Sequence, residues 1–257
     1  MSNSKNKVPA WKPSPENKRK ATNLRIISIV LWVFAIALEA FMVYKFWYEK
    51  TWKLEVNFVV IAIFSVILIL AVVGNLLWRQ SNKLAPASEK EPVRFFIQNQ
   101  LGAIISVLAF LPLLVFILKD KNIDKKTKAI LGGVIGIFMF IAVGTGIETN
   151  PASIEQYAEE TNLVEALTNA NIVYWTEYGG KYHLYKDCPY LKNSTKLYSG
   201  TVAEAKATKG ITELCLYCKK RMMKERGITE EELQSKIAKI KALKEKGLKK
   251  VEDSLLE

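Results

Sequence analysis

Four long apolar blocks crowd the chain before position 148, at about 24–44, 56–78, 101–118 and 129–147, and a single acid, Glu39, falls inside any of them. At about 1.5 Å per residue, runs of some 18 or more apolar residues reach across a bilayer core of about 30 Å, whereas a helix of a water-soluble core keeps one polar face. Half of the 257 residues are hydrophobic, so crowding rather than quantity is the signal. These blocks read as transmembrane helices.

The segments around them fill in the picture. Residues 1–23 are polar, with Pro9, Pro13, Pro15 and the run Lys18-Arg19-Lys20, and read as a disordered cytosolic tail. The block at 24–44 lacks the short apolar region and small-residue cleavage site of a secretory signal, so it reads as a retained anchor. Trp47, Tyr48 and Trp52 in the first loop suit headgroup level. Ser88-x-x-Glu91 before Pro92 predicts a capped helix that becomes the third span, kinked at Pro112. Glu39 reads as an interfacial carboxylate near Lys45 and Lys50, the alternative being a proton or cation site. Gly132 and Gly136 form a small-xxx-small step for helix packing, within the protein or between copies.

Net charge is +12, much of it the topology signal of the loops. Lys and Arg number seven in the tail including Arg25, three in the first loop, four in the second and five in the third. The first-helix comparison, seven against three, places both termini in the cytoplasm of a multi-pass protein of the cell membrane.

Beyond the spans the one histidine and all three cysteines fall into His183-x4-Cys188-x26-Cys215-x2-Cys218. Two close pairs of nitrogen and sulfur donors joined by a long loop are what a tetrahedral zinc ion requires. An odd cysteine count with a CxxC pair opposes a disulfide framework and points to a reducing compartment. Val173 and Trp175 alternate with polar residues and Gly179-Gly180 supplies a turn, which predicts a β-hairpin with His183 on its second strand. Cys188 then lies in a turn beside Asp187 and Pro189. Thr201-x-x-Glu204 caps a short helix closed by Gly210, and the Cys215–Cys218 pair enters another helix. Metal supplies folding energy that so small a core lacks.

The fold class expected is a mainly α membrane protein: four transmembrane helices, then a small α+β zinc-binding domain and a C-terminal amphipathic helix. Its parts are the tail (1–23), the span domain (24–147), a connecting helix that stands the next module off the bilayer (148–171), the zinc module (172–227) and a terminal helix (228–257). Thr229 and Glu232 cap that last helix, and Leu233, Ile237, Ile240, Leu248, Val251 and Leu255 give it an amphipathic or coiled-coil stripe with a break at Gly247.

The Lys181–Arg221 pattern resembles the small zinc module of the Ada DNA repair protein and related zinc-ribbon-like modules, through the hairpin before the second ligand and the CxxC before a helix. In that repair protein the first ligand is a methyl-accepting cysteine; here His183 stands in its place, and an imidazole does not serve as that nucleophile. Through Pro92-Val-Arg-Phe-Phe-Ile-Gln-Asn-Gln-Leu-Gly, Asn150-Pro-Ala-Ser-Ile-Glu-Gln-Tyr and Val173-Tyr-Trp-Thr the whole chain is similar to a set of bacterial four-span proteins, a resemblance that implies no particular activity.

Four protein ligands close a tetrahedral site against water, so a structural zinc is expected and an enzyme is not. No HExxH or HxE arrangement and no free histidine supply a general base. The function expected is a membrane-anchored binding or sensing module facing the cytosol, with a cytosolic protein as partner. Lys181–Arg226 holds eleven basic residues against four acids, with Tyr182, Tyr185, Tyr190, Tyr198 and Tyr217 among them, a mixture suited to anionic lipid or nucleic acid. The alternatives are a transporter or channel subunit with a regulatory zinc domain, and a thiol-based redox or metal sensor using Cys215 and Cys218.

Overall fold

The computed structural model describes residues 11–49, 58–208, 211 and 213–254, in two compact units: Pro15–Pro151, and Ala152–Glu257 together with the segment up to Ser14. Trp52, the expected start of the second span at Val56, Gly210 and Leu255 lie outside the described residues.

The first unit is a bundle of α1 (Pro15–Val43, continued by a π-helical turn Tyr44–Tyr48), α2 (Phe58–Leu84), α3 (Pro92–Leu108), α4 (Leu111–Lys119) and α5 (Lys125–Gly146). By length and composition it provides four membrane-capable helices, α3 and α4 together making the third. Phe34, Ile69 and Phe140 are 59%, 60% and 80% exposed, an outward apolar face suited to lipid rather than water. Inside, Phe64, Ile67, Leu113, Ile117, Leu131 and Ile135 form the packed core.

Several expectations change here. α1 starts at Pro15, so residues 15–23 are helical rather than disordered. Proline suits a first turn, and Glu16 there pairs with Lys20 one turn on at 2.7 Å. The Ser88–Glu91 capping box does not form: Ser88 accepts instead from the Lys90 N–H at 3.2 Å, and α3 begins on Pro92 with no side-chain cap.

The third span is broken rather than kinked, because Pro112 opens a new helix after the interruption at Ala109 and Phe110. A helix start leaves backbone donors without partners. Glu39, 4% exposed, reaches across from α1 and accepts the Leu113 N–H at 3.2 Å. It is therefore a buried cap for α4 rather than a partner of Lys45, which pairs with Glu49.

Asn75, fully buried on α2, joins all the other spans. Its Oδ1 accepts from Trp32 Nε1 of α1 at 3.2 Å, and its Nδ2 donates to Ser106 Oγ of α3 (3.0 Å), with the Ala142 carbonyl (2.9 Å) and Thr145 Oγ1 (3.2 Å) of α5 also within reach. Close helix approach belongs to Gly102 and Gly146: a Cβ on Gly146 would stand 2.3 Å from the Ala103 nitrogen. The expected pair behaves differently, since a Cβ on Gly132 would make ordinary contact with the Leu118 and Leu114 side chains and one on Gly136 would meet nothing within 4 Å.

The second unit contains α6 (Ile154–Thr168), β1 (Val173–Trp175), β2 (Lys181–Tyr182), a 3-10 turn (Pro189–Leu191), β3 (Tyr198–Gly200), α7 (Val202–Ala207), β4 (Glu213–Leu214), α8 (Leu216–Arg226) and α9 (Glu230–Ser254). β1 pairs antiparallel with β3 and β2 parallel with β4, and a Tyr174–His183 bridge links the two pairs. The hairpin is thus a single bridge, and neither Gly179 nor Gly180 takes a left-handed φ.

α6 is no spacer. Capped by Ser153 and ended at Asn169 (φ 61°), it buries Val164 and Leu167 in the core shared by Val173, Trp175, Tyr182, Val202 and the cysteines. Trp11, expected in the free tail, stacks edge-on against Tyr157 of α6 at 4.9 Å. α9 also joins this core through fully buried Leu233, with Ile237 and Ile240 packed beside it, and Lys244 reaches Glu165 of α6 at 2.6 Å. Its stripe is satisfied by α6 over the first half, which removes the case for a coiled coil there, and helix continues through Gly247.

Candidate metal centre

Backbone pairing sets each ligand in place. His183 exchanges both backbone hydrogen bonds with Tyr174, at 2.7 and 2.8 Å, and follows directly on β2. Cys188 ends the succeeding turn and begins the 3-10 turn, its carbonyl accepting from Leu191 at 2.9 Å. Cys215 closes β4, donating its N–H to the Tyr182 carbonyl at 2.8 Å, and is the N-cap residue of α8. Cys218 sits one turn into that helix, so the CxxC spacing turns both thiols to one side.

The structure brings all four expected residues together: one ligand atom from each lies within 4.8 Å of the others, and all are buried. His183 Nδ1 stands 3.2 Å from Cys188 Sγ and 3.7 Å from Cys218 Sγ. Tetrahedral zinc with bonds of about 2.3 Å to sulfur and 2.0–2.1 Å to nitrogen places such atoms about 3.6 Å apart. The cluster therefore has the size of one metal ion, and the cysteines are free thiols rather than disulfides. With Nδ1 turned inward, the proton of neutral His183 belongs on Nε2.

Electrostatics agree with that reading. Burial pushes the Cys218 thiol up to about 12, against the Leu184 backbone N–H that favours the thiolate. Cys188 is raised for the same cause, with the Tyr190 N–H opposing, and burial followed by the nearby Lys181 charge lowers His183. In such an apolar pocket the cysteines stay neutral thiols unless a divalent cation is bound to hold the thiolate form.

Two supports were not legible from ligand spacing. Arg221 lies over the Tyr185 ring at 4.1 Å and bridges Asp187 (3.0 Å) and Glu225 (2.8 Å), while Tyr185 donates to Glu225 at 2.5 Å. This clamp fastens the turn carrying Cys188 onto the helix carrying Cys218. In the second support, Glu160 of α6 accepts from both Lys206 and the Tyr182 hydroxyl, the latter at 2.9 Å, just before His183. Burial, then Glu160, keeps the Tyr182 phenol well above its ordinary range, so it remains a donor. Asp187 beside Cys188 and Arg221 one turn beyond the CxxC were the available signals.

A cavity of about 370 Å³ opens against the cluster, lined by Lys181, His183, Tyr190, Cys215, Leu216 and Tyr217 among others. Tyr190 and Tyr217 meet edge-on across it at 6.1 Å.

Compared with known proteins, the chain matches no family model, no curated protein and no solved structure. Neither the Ada resemblance nor the one to bacterial four-span proteins is shown by them. What stands on coordinates is a set of membrane-capable helices and a His/Cys3 cluster fit for a metal.

Proposed function

We propose that the protein is a membrane-anchored, non-enzymatic binding or sensing unit that presents a structural zinc module on the cytosolic side. The observation that carries this reading is the closed donor set: four buried ligands converge on one point, and none is left for a water or substrate position. Thiolate and imidazole ligands suit zinc among the divalent ions, and thiolates last longest in a reducing compartment. The cavity beside the cluster, with Lys181 and two tyrosines, is a contact surface for a cytosolic protein. The basic face of the module suits anionic lipid or nucleic acid, which steep salt dependence of binding would reveal. Gly136, with open space around it, leaves a face for a second copy, as does the exposed Leu243 of α9.

Metal analysis of the full chain in detergent, before and after peroxide, tests the reading. A structural role keeps one zinc per chain through oxidation. A thiol sensor instead loses zinc as Cys215 and Cys218 oxidise. Metal-free protein with a folded second unit contradicts both.

A second reading, a transporter or channel subunit regulated by the zinc domain, draws on the discontinuous third span with Glu39 at the new helix start. Cation or proton flux in liposomes that Glu39→Gln leaves unaltered, or no flux at all, rejects it.

A further inference from the structure

A groove of about 610 Å³ runs along the first unit where α1, the end of α2 and the start of α3 meet, lined by Arg25, Trp78, Glu91, Val93, Arg94 and Ile97 among others. Its floor is apolar: Val93 and Ile97, one helical turn apart on α3, are 71% and 47% exposed, and Leu101 continues the row. Its rim is basic. Arg25 is fixed rather than free to snorkel, lying over the Trp78 ring at 5.7 Å and donating to the Ala85 carbonyl at 2.9 Å and Ser81 Oγ at 3.3 Å. Those partners are uncharged, and among the described residues Arg25 has no carboxylate partner. Arg94 on the rim is paired with Glu91 at 3.1 Å, so Glu91 balances one arginine and the groove keeps one positive charge.

The groove lies at one end of the bundle, beside polar contacts such as Arg79–Glu148 at 2.7 Å and Trp78 Nε1 to the Gln98 carbonyl at 2.7 Å, where a span passes from hydrocarbon to headgroups. A held guanidinium with N–H donors to spare, above an apolar row running toward the hydrocarbon, complements one class of molecule: a lipid with an anionic phosphate headgroup and an acyl chain. We propose that this groove is an anionic-lipid site, in which Arg25 and Arg94 take the phosphate and Val93, Ile97 and Leu101 bed the chain. The site belongs to the span unit and is independent of the metal cluster and of the basic face of the zinc module.

The test is native mass spectrometry of the full chain in detergent, titrated with phosphatidylglycerol, with phosphatidylcholine and with inorganic phosphate. Phosphatidylglycerol is expected to bind more tightly than phosphatidylcholine. Arg25→Gln and Arg94→Gln should each weaken it about fivefold, the scale of one basic residue at an anionic surface. Arg94 is exposed and its loss threatens no packing, so that variant remains informative should Arg25→Gln fail to fold. Arg226→Gln, in the other unit, should leave binding as it was. Equal binding of the two lipids would mean an apolar groove only. Displacement of phosphatidylglycerol by equimolar inorganic phosphate would mean a free-anion site. Either result overturns the proposal, as does Arg94→Gln binding like the wild type or Arg226→Gln losing the lipid instead.

Discussion

Lys206→Met separates the metal cluster from the scaffold that holds it. Lys206 is 5% exposed, and its partner Glu160 keeps 18% of its side chain accessible. Methionine retains the stem over Tyr157 but removes the charge, leaving the Glu160 carboxylate, among the described residues, with the Tyr182 hydroxyl at 2.9 Å. Removing one partner of a buried pair costs about 3–5 kcal/mol, and the residual access of Glu160 to water places this case at the low end, about 3 kcal/mol. Because Tyr182 precedes His183 and receives the Cys215 N–H, that loss falls on β2, which leads into one ligand and is hydrogen-bonded to another. At about 1.4 kcal/mol per decade, the second unit opens about a hundredfold more often. Metal transfer from the full chain to a chromogenic chelator, followed by absorbance, should speed up by a similar factor. The double variant Glu160→Gln/Lys206→Met removes the orphaned charge and should recover most of the difference. A single variant releasing metal within about twofold of wild type, or a double variant no slower than the single, refutes the reasoning.

Asn75→Leu should lower the thermal stability of the span unit in detergent by about 2 kcal/mol, since Trp32 Nε1 and Ser106 lose a shared partner inside the bundle; an unchanged melting curve contradicts the hub. Gly146→Ala should destabilise the same unit by about 1–3 kcal/mol through contact with the α3 backbone, whereas Gly136→Ala leaves the monomer alone; the reverse order would restore the Gly132/Gly136 reading. The clamp makes a pH prediction. Arg221 holds Asp187 below the usual carboxylate range, and the Tyr185 hydroxyl followed by Arg221 does the same for Glu225, so their stabilisation is present above the unfolded values and lost as pH falls through the lowered ones. Arg221→Met should flatten the acid-side loss of stability below about pH 4, read by near-UV circular dichroism; an identical acid limb contradicts it.

The His/Cys3 cluster was legible because coordination chemistry restricts donor type and local spacing, and the membrane-capable helices because hydrocarbon demands length and apolarity. What escaped depends on which faces meet. Nothing near Val173 announces that β1 takes β3 as its longer partner. The stripe of α9 looked like a coiled-coil seam because the chain does not say that α6 already covers Leu233. A Gly-xxx-Gly spacing allows close approach without choosing the helix that approaches, so Gly132 and Gly136 drew attention that belongs to Gly102 and Gly146. Pro112 did announce an interruption, but the carboxylate that caps it lies 73 positions away from that proline on another helix, and only folding brings Glu39 there.

X-ray absorption at the zinc edge, on full-length protein purified under reducing conditions, reads the central claim most directly. The account predicts one zinc per chain with three sulfur neighbours at about 2.3 Å and one nitrogen at about 2.0–2.1 Å. A shell of oxygen and nitrogen only, or a folded second unit with no bound metal, would contradict it.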